Sequence, residues 1–92
     1  MVRTISFGPM YGRVLQIWPF SGIGNINRFT NVVASITELG GPPGGPFDYP
    51  FIGNAVMRVL NVAPHDNGNV YVRTWINWNR YLPFRITFLV DP

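Results

Sequence analysis

Two segments near the end of the chain constrain the fold most, because their side chains alternate in character every second residue. From Val70 to Trp78, one face of an extended strand carries Val70, Val72, Thr74, Ile76 and Trp78. The opposite face carries Tyr71, Arg73, Trp75 and Asn77. From Phe84 to Val90, the residues Phe84, Ile86, Phe88 and Val90 oppose Arg85, Thr87 and Leu89. A helix would scatter both sets around its circumference, whereas a strand gathers each set on one side. The rest of the chain agrees. Good helix formers are scarce, with three Ala, one Glu and no Lys, and apolar spacing rarely follows a helical period. Short apolar runs are instead separated by Gly, Pro and Asn, of which the chain has 10 Gly and 9 Pro.

These signals predict strands at about Val2–Phe7, Arg13–Trp18, Phe29–Leu39, Ala55–Val62, Val70–Trp78 and Phe84–Val90. Gly8 to Gly12 reads as a hairpin loop between the first two, and Ser21 to Asn27 as a turn-rich segment with isolated apolar residues. Gly40 to Pro46 contains only Gly and Pro and reads as a loop. It is followed by the aromatic-rich Phe47–Ile52. Asn67-Gly68 lies at the heart of the turn Ala63–Asn69 and supplies the positive φ that tight hairpins need. The last three strands then read as a meander. At 92 residues the chain has material for one domain, spanning 1–92. The expectation is an all-β fold, a compact antiparallel β-sandwich of six to seven strands, with a small β-barrel as the alternative.

Composition removes most catalytic chemistry. The chain has no Cys, one His and four carboxylates, so disulfides, thiolate metal sites and cysteine nucleophiles are excluded. His65 sits in a turn beside Asp66, and Ser6, Ser21 and Ser35 lie in no nucleophile elbow. Asp66, Asn67 and Asn69 resemble a fragment of a calcium loop, but the twelfth position is Asn77 rather than Glu. Asp48 and Asp66 are the one conceivable glycosidase pair, without a supporting motif. The reading is therefore a protein that is not an enzyme and has no metal and no cofactor. The seven cations are all Arg and are scattered, giving a net charge of +3. Nucleic-acid binders cluster such residues, so a single-strand nucleic-acid reading is the weakest. No segment reaches the length of a membrane span or a signal peptide, so the expected location is cytoplasmic or outside the cell by a non-classical route.

Aromatic residues make up 15% of the chain. Tyr71, Arg73, Trp75 and Asn77 place rings, a guanidinium and an amide on one strand face, with Trp78 and Asp66 beyond its ends. Rings suit the C–H face of a sugar, and amide and guanidinium groups suit its hydroxyls. The leading expectation is lectin-like carbohydrate binding by these six residues. The alternative is a structural or assembly subunit. Both faces of Ala55–Val62 read as apolar, with Ala55, Met57 and Val59 against Val56, Leu60 and Val62. Such a surface calls for a symmetric partner, so a homo-oligomer is expected with Trp75 or Tyr71 at its interface.

Overall fold

The computed structural model describes residues 2–40 and 49–91. The Gly/Pro loop expected after Gly40 and the residues Phe47 and Asp48 lie outside the described residues. The described chain is all β. Its strands are β1 (Arg3–Gly12), β2 (Val14–Phe20), β3 (Asn31–Gly40), β4 (Tyr49–Pro50), β5 (Met57–Pro64), β6 (Val70–Ile76) and β7 (Leu82–Asp91). They form two antiparallel sheets, ordered β1-β7-β3-β4 and β2-β6-β5. With β4 only two residues long, each sheet rests on three long strands, and the two sheets stack as a small sandwich.

The two cleanly alternating segments are the two central strands. On β6, Val70, Val72, Thr74 and Ile76 are sealed from solvent; on β7, Phe84, Ile86, Phe88 and Val90 are. Each strand is covered by neighbours on both edges and by the opposite sheet on its inner face, so its inner residues bury completely. Flanking strands add half-buried residues to the same core: Ile5, Phe7 and Met10 from β1, Trp18 from β2, Val32, Ala34 and Ile36 from β3. Ile23 and Ile26, isolated apolar residues in a turn-rich segment, are also buried there. Arg3 holds this segment by donating to the carbonyls of Ile23 and Gly24, both at 2.6 Å.

Three expectations change. First, the last three strands are not a meander. β5 and β6 form a hairpin, but β7 crosses to the other sheet and lies between β1 and β3. Second, Gly8–Gly12 is not a hairpin loop. β1 continues to Gly12, and the register shift between Phe7 and Met10 absorbs Gly8-Pro9 as a bulge on an edge strand, where a residue without N–H is tolerated. β1 then pairs with β7 and β2 with β6, so two long ribbons fold over together from one sheet to the other. The corner lies at Arg13–Val14, and Val14 sits there at φ 46°, a strained position for a β-branched residue. Gly12 makes the corner possible: a Cβ there would come within 2.9 Å of Phe84 Cε1 and 3.0 Å of Trp18 Cζ2. Third, β5 is not apolar on both faces by simple alternation. A register shift between Val59 and Asn61 brings Val62 round to the core beside Met57 and Val59.

One polar contact is built into the core. Trp18 Nε1–H donates to the hydroxyl of Thr74, 2.9 Å away, and Thr74 is fully buried. The Trp18 ring also packs edge-on to Phe84, with centroids 5.5 Å apart. A buried donor left without an acceptor costs about 1–3 kcal/mol, more than the bond itself contributes net. Thr74→Val should therefore lower the urea midpoint by an amount corresponding to at least about 1 kcal/mol. Adding Trp18→Phe removes the stranded donor. A double-mutant cycle should then show strong coupling between the two positions; additive losses would mean that the contact contributes nothing specific.

Candidate functional site

The two outer faces differ in chemistry. Outside the β1-β7-β3 sheet, hydroxyl residues recur beside Arg85 and the exposed Val33 and Leu89, and Ser6 and Thr87 share a hydrogen bond at 2.9 Å across the strands. Outside the β2-β6-β5 sheet the residues are aromatic, aliphatic and cationic. Registration arranges them in three rows. Leu15, Trp75 and Arg58 lie across the sheet, then Ile17, Arg73 and Asn61, then Pro19, Tyr71 and Ala63. Leu15 and Ile17 are 55% and 58% exposed.

A shallow groove of about 350 Å3 lies within this face, lined by Ile17, Asn61, Ala63, Tyr71 and Arg73. Arg73 Nη1 donates to Asn61 Oδ1 at 3.2 Å, which sets the guanidinium plane beside the groove. His65 packs edge-on to the Tyr71 ring, with centroids 4.7 Å apart. The groove lining therefore combines apolar groups, Ile17, Ala63 and the Tyr71 ring, with the polar Arg73 and Asn61.

The six residues expected to act together do not form one cluster. Tyr71, Arg73 and Trp75 share the outer face of β6, with Tyr71 and Trp75 separated by about 13 Å at strand spacing. Trp75 is half-buried in the row with Leu15 and Arg58. Asn77 and Trp78 fall beyond β6, which ends at Ile76. Backbone bonds from Asn77 N to Val56 O and from Trp78 N to Ile76 O turn the chain away at that point. Trp78 consequently leaves the core face it shares by sequence with Val70–Ile76 and is 38% exposed. It lines two open clefts at this end, one of about 460 Å3 with Glu38, Phe51 and Leu82, the other of about 650 Å3 with Arg13 and Asn77.

Asp66 lies at the opposite end, in the β5–β6 hairpin. Its carboxylate accepts from Arg28 N at 2.9 Å and pairs with Arg28 Nη1 at 3.7 Å, tying the 21–30 segment to the hairpin. The Asx-turn of this hairpin is made by Asn67, whose Oδ1 accepts from Asn69 N at 3.0 Å. Among the described residues no three His, Asp or Glu side chains gather as a metal site.

Sequence reasoning placed Tyr71 and Arg73 on one face but missed their neighbours Asn61, Ile17 and His65. A signal existed for Asn61. Arg58 and Asn61 are three residues apart in an otherwise apolar strand, and both can face outward only if a bulge lies between them. Comparisons with protein-family models, curated proteins and solved structures give no match to this chain.

The β5–β6 hairpin positions His65 against Tyr71. His65 N donates to Asn69 O at 2.9 Å and Gly68 N to His65 O at 3.1 Å, closing a three-residue loop that ends with Gly68 at φ 89°. A Cβ at Gly68 would meet nothing within 4 Å, so the cost of any side chain there is conformational alone. Gly68→Val should destabilise by about 1–2 kcal/mol, seen as a lower melting temperature. Gly68→Asn should lose much less, because Asn tolerates the left-handed region. An unchanged melting temperature for the valine variant would contradict this turn geometry.

Proposed function

We propose that the protein is a non-catalytic recognition domain that binds carbohydrate on the outer face of the β2-β6-β5 sheet. The observation that carries this reading is the groove in which the Tyr71 ring lies beside the Arg73–Asn61 pair. A ring offers a flat apolar surface, and the guanidinium and amide offer hydrogen bonds in fixed directions. The ring and the guanidinium stand on a central strand whose reverse side is packed in the core, so little order remains to be gained on binding. Trp75 and Arg58 extend the same face by one row.

An oligosaccharide array, followed by titration of the best ligand, tests the reading. Tyr71→Ala should weaken binding by about tenfold or more, as loss of a central aromatic does at recognition sites. The melting temperature should stay close to that of the unaltered protein. Loss of binding on Asp66→Asn, with Tyr71→Ala silent, would move the site to the other end of the molecule.

A second reading, a subunit that self-associates through this face, is favoured by the exposure of Leu15 and Ile17 beside Trp75. Adjacent apolar side chains on an edge strand are a surface that a second chain can cover. Sedimentation equilibrium at micromolar concentration separates the two. Self-association gives a multiple of 10.4 kDa that returns to 10.4 kDa in Ile17→Arg. A mass of 10.4 kDa for the unaltered protein removes that reading.

A further inference from the structure

We infer that the sugar this face selects is anionic, its carboxylate read by Arg73 while its ring lies on Tyr71; this rests on the carbohydrate reading above. The first support is the charge inventory of the face. It carries Arg58 and Arg73 on adjacent strands, β5 and β6. Three carboxylates lie among the described residues, and none is on this face. Glu38 belongs to β3 and accepts from Gly53 N, Asp66 pairs with Arg28 in the hairpin, and Asp91 ends β7 in the other sheet. The ion pair between Arg28 and Asp66 is the one found among the described residues, so Arg73 has only the neutral Asn61 as a polar partner there.

The second support is geometric. A guanidinium has five N–H donors in a rigid fork that matches a carboxylate through two parallel bonds. Asn61 takes one N–H of Nη1, leaving the other Nη1 hydrogen and the Nη2 and Nε donors for a ligand. The volume of about 350 Å3 is at the small end of ligand-binding cavities, which suits one sugar unit at a time. An acidic peptide would draw on free backbone groups at a sheet edge. Here the groove is centred on β6, whose backbone pairs with β2 on one side and β5 on the other, so recognition falls to side chains. Face-to-face pairing of two copies would set Arg58 and Arg73 against another pair of cations without acids to answer them, which disfavours a second copy as occupant.

The test compares trigalacturonate with its methyl ester, which keeps the rings and removes the charge, and with a neutral trisaccharide. Titrations are followed by backbone amide NMR shifts at fixed ionic strength. Trigalacturonate should bind at least about tenfold more tightly than the ester. Its shifts should centre on Tyr71, Arg73 and Asn61. Arg73→Gln should bring acid and ester to within about twofold of each other, whereas Arg13→Gln, which removes one charge away from the groove, should leave the preference intact. Arg73→Lys should retain only part of it, because a point charge replaces the fork. Equal binding of acid, ester and neutral sugar overturns the anionic preference and leaves the carbohydrate reading standing. Binding of none of them overturns both. Equal losses in the Arg73 and Arg13 variants, or shifts centred elsewhere, reduce the preference to net charge and overturn the site.

Discussion

Everything in this sandwich depends on β6 and β7 burying their inner faces in one shared core. Eight alternate residues, Val70, Val72, Thr74 and Ile76 on one strand and Phe84, Ile86, Phe88 and Val90 on the other, are sealed completely. Burying a large apolar side chain contributes about 1.5–3 kcal/mol, so these positions supply a major part of the driving force for folding. They also dictate topology. In a sheet of three long strands only the central one has a neighbour on each edge, so two strands that are both sealed stand in different sheets. The chain between Ile76 and Leu82 must cross from layer to layer, and each strand then needs its own flanking partners. β1 and β2 meet that need as one ribbon that bends at Arg13, and β3 and β5 close the remaining sides. The cost of the bend is concentrated at Val14, in a left-handed backbone conformation, and at Gly12, where the Trp18 and Phe84 rings leave no space for a side chain.

The parts of this fold that were legible in the sequence are those encoded by a local period. The alternation in β6 and β7 identified the inner residues of both. What local pattern could not reveal was pairing. The link from Ile76 to Leu82 is short enough for a hairpin, and what sets the strands apart is that each is central in its own sheet, with a neighbour on both edges. Gly8-Pro9 looks like a turn because both residues disfavour regular strands, yet an edge strand absorbs them as a bulge. The second bulge, between Val59 and Asn61, resets the phase of β5. It moves Val62 inward, so the outer face of β5 is less apolar than strict alternation implies.

The same bulge determines how much of the candidate site could be read. Without it Asn61 would share a face with Met57 and Val59 and point into the core, where an amide would need partners. With it, Asn61 reaches Arg73 across the strand pair and orients the guanidinium. Trp78 and Asn77 failed to join the row because β6 ends where the crossover begins, and Asp66 is engaged by Arg28. A row of alternate residues predicts a shared face only while the strand lasts. The two ends of β6 are therefore where sequence and structure part.

Strand alternation also separates the core from the groove on β6. Tyr71 and Arg73 project outward between Val70, Val72 and Thr74, which project inward. A change to an outer side chain leaves the inner ones and the backbone bonds to β2 and β5 in place. The reverse does not hold, because a change at Thr74 or Val72 disturbs the strand that carries the groove. The outer face is thus free to vary in chemistry at small cost to the fold. That it combines Tyr71, Trp75, Arg58 and Arg73 without an acid among the described residues, while the other sheet mixes hydroxyls such as Ser6 and Thr87 with Arg85 and Leu89, is a difference the core does not require. Packing needs explain the inner face of each sheet; they do not explain why one outer face should hold cations beside rings. On the carbohydrate reading proposed above, that difference answers to a ligand on the β2-β6-β5 face.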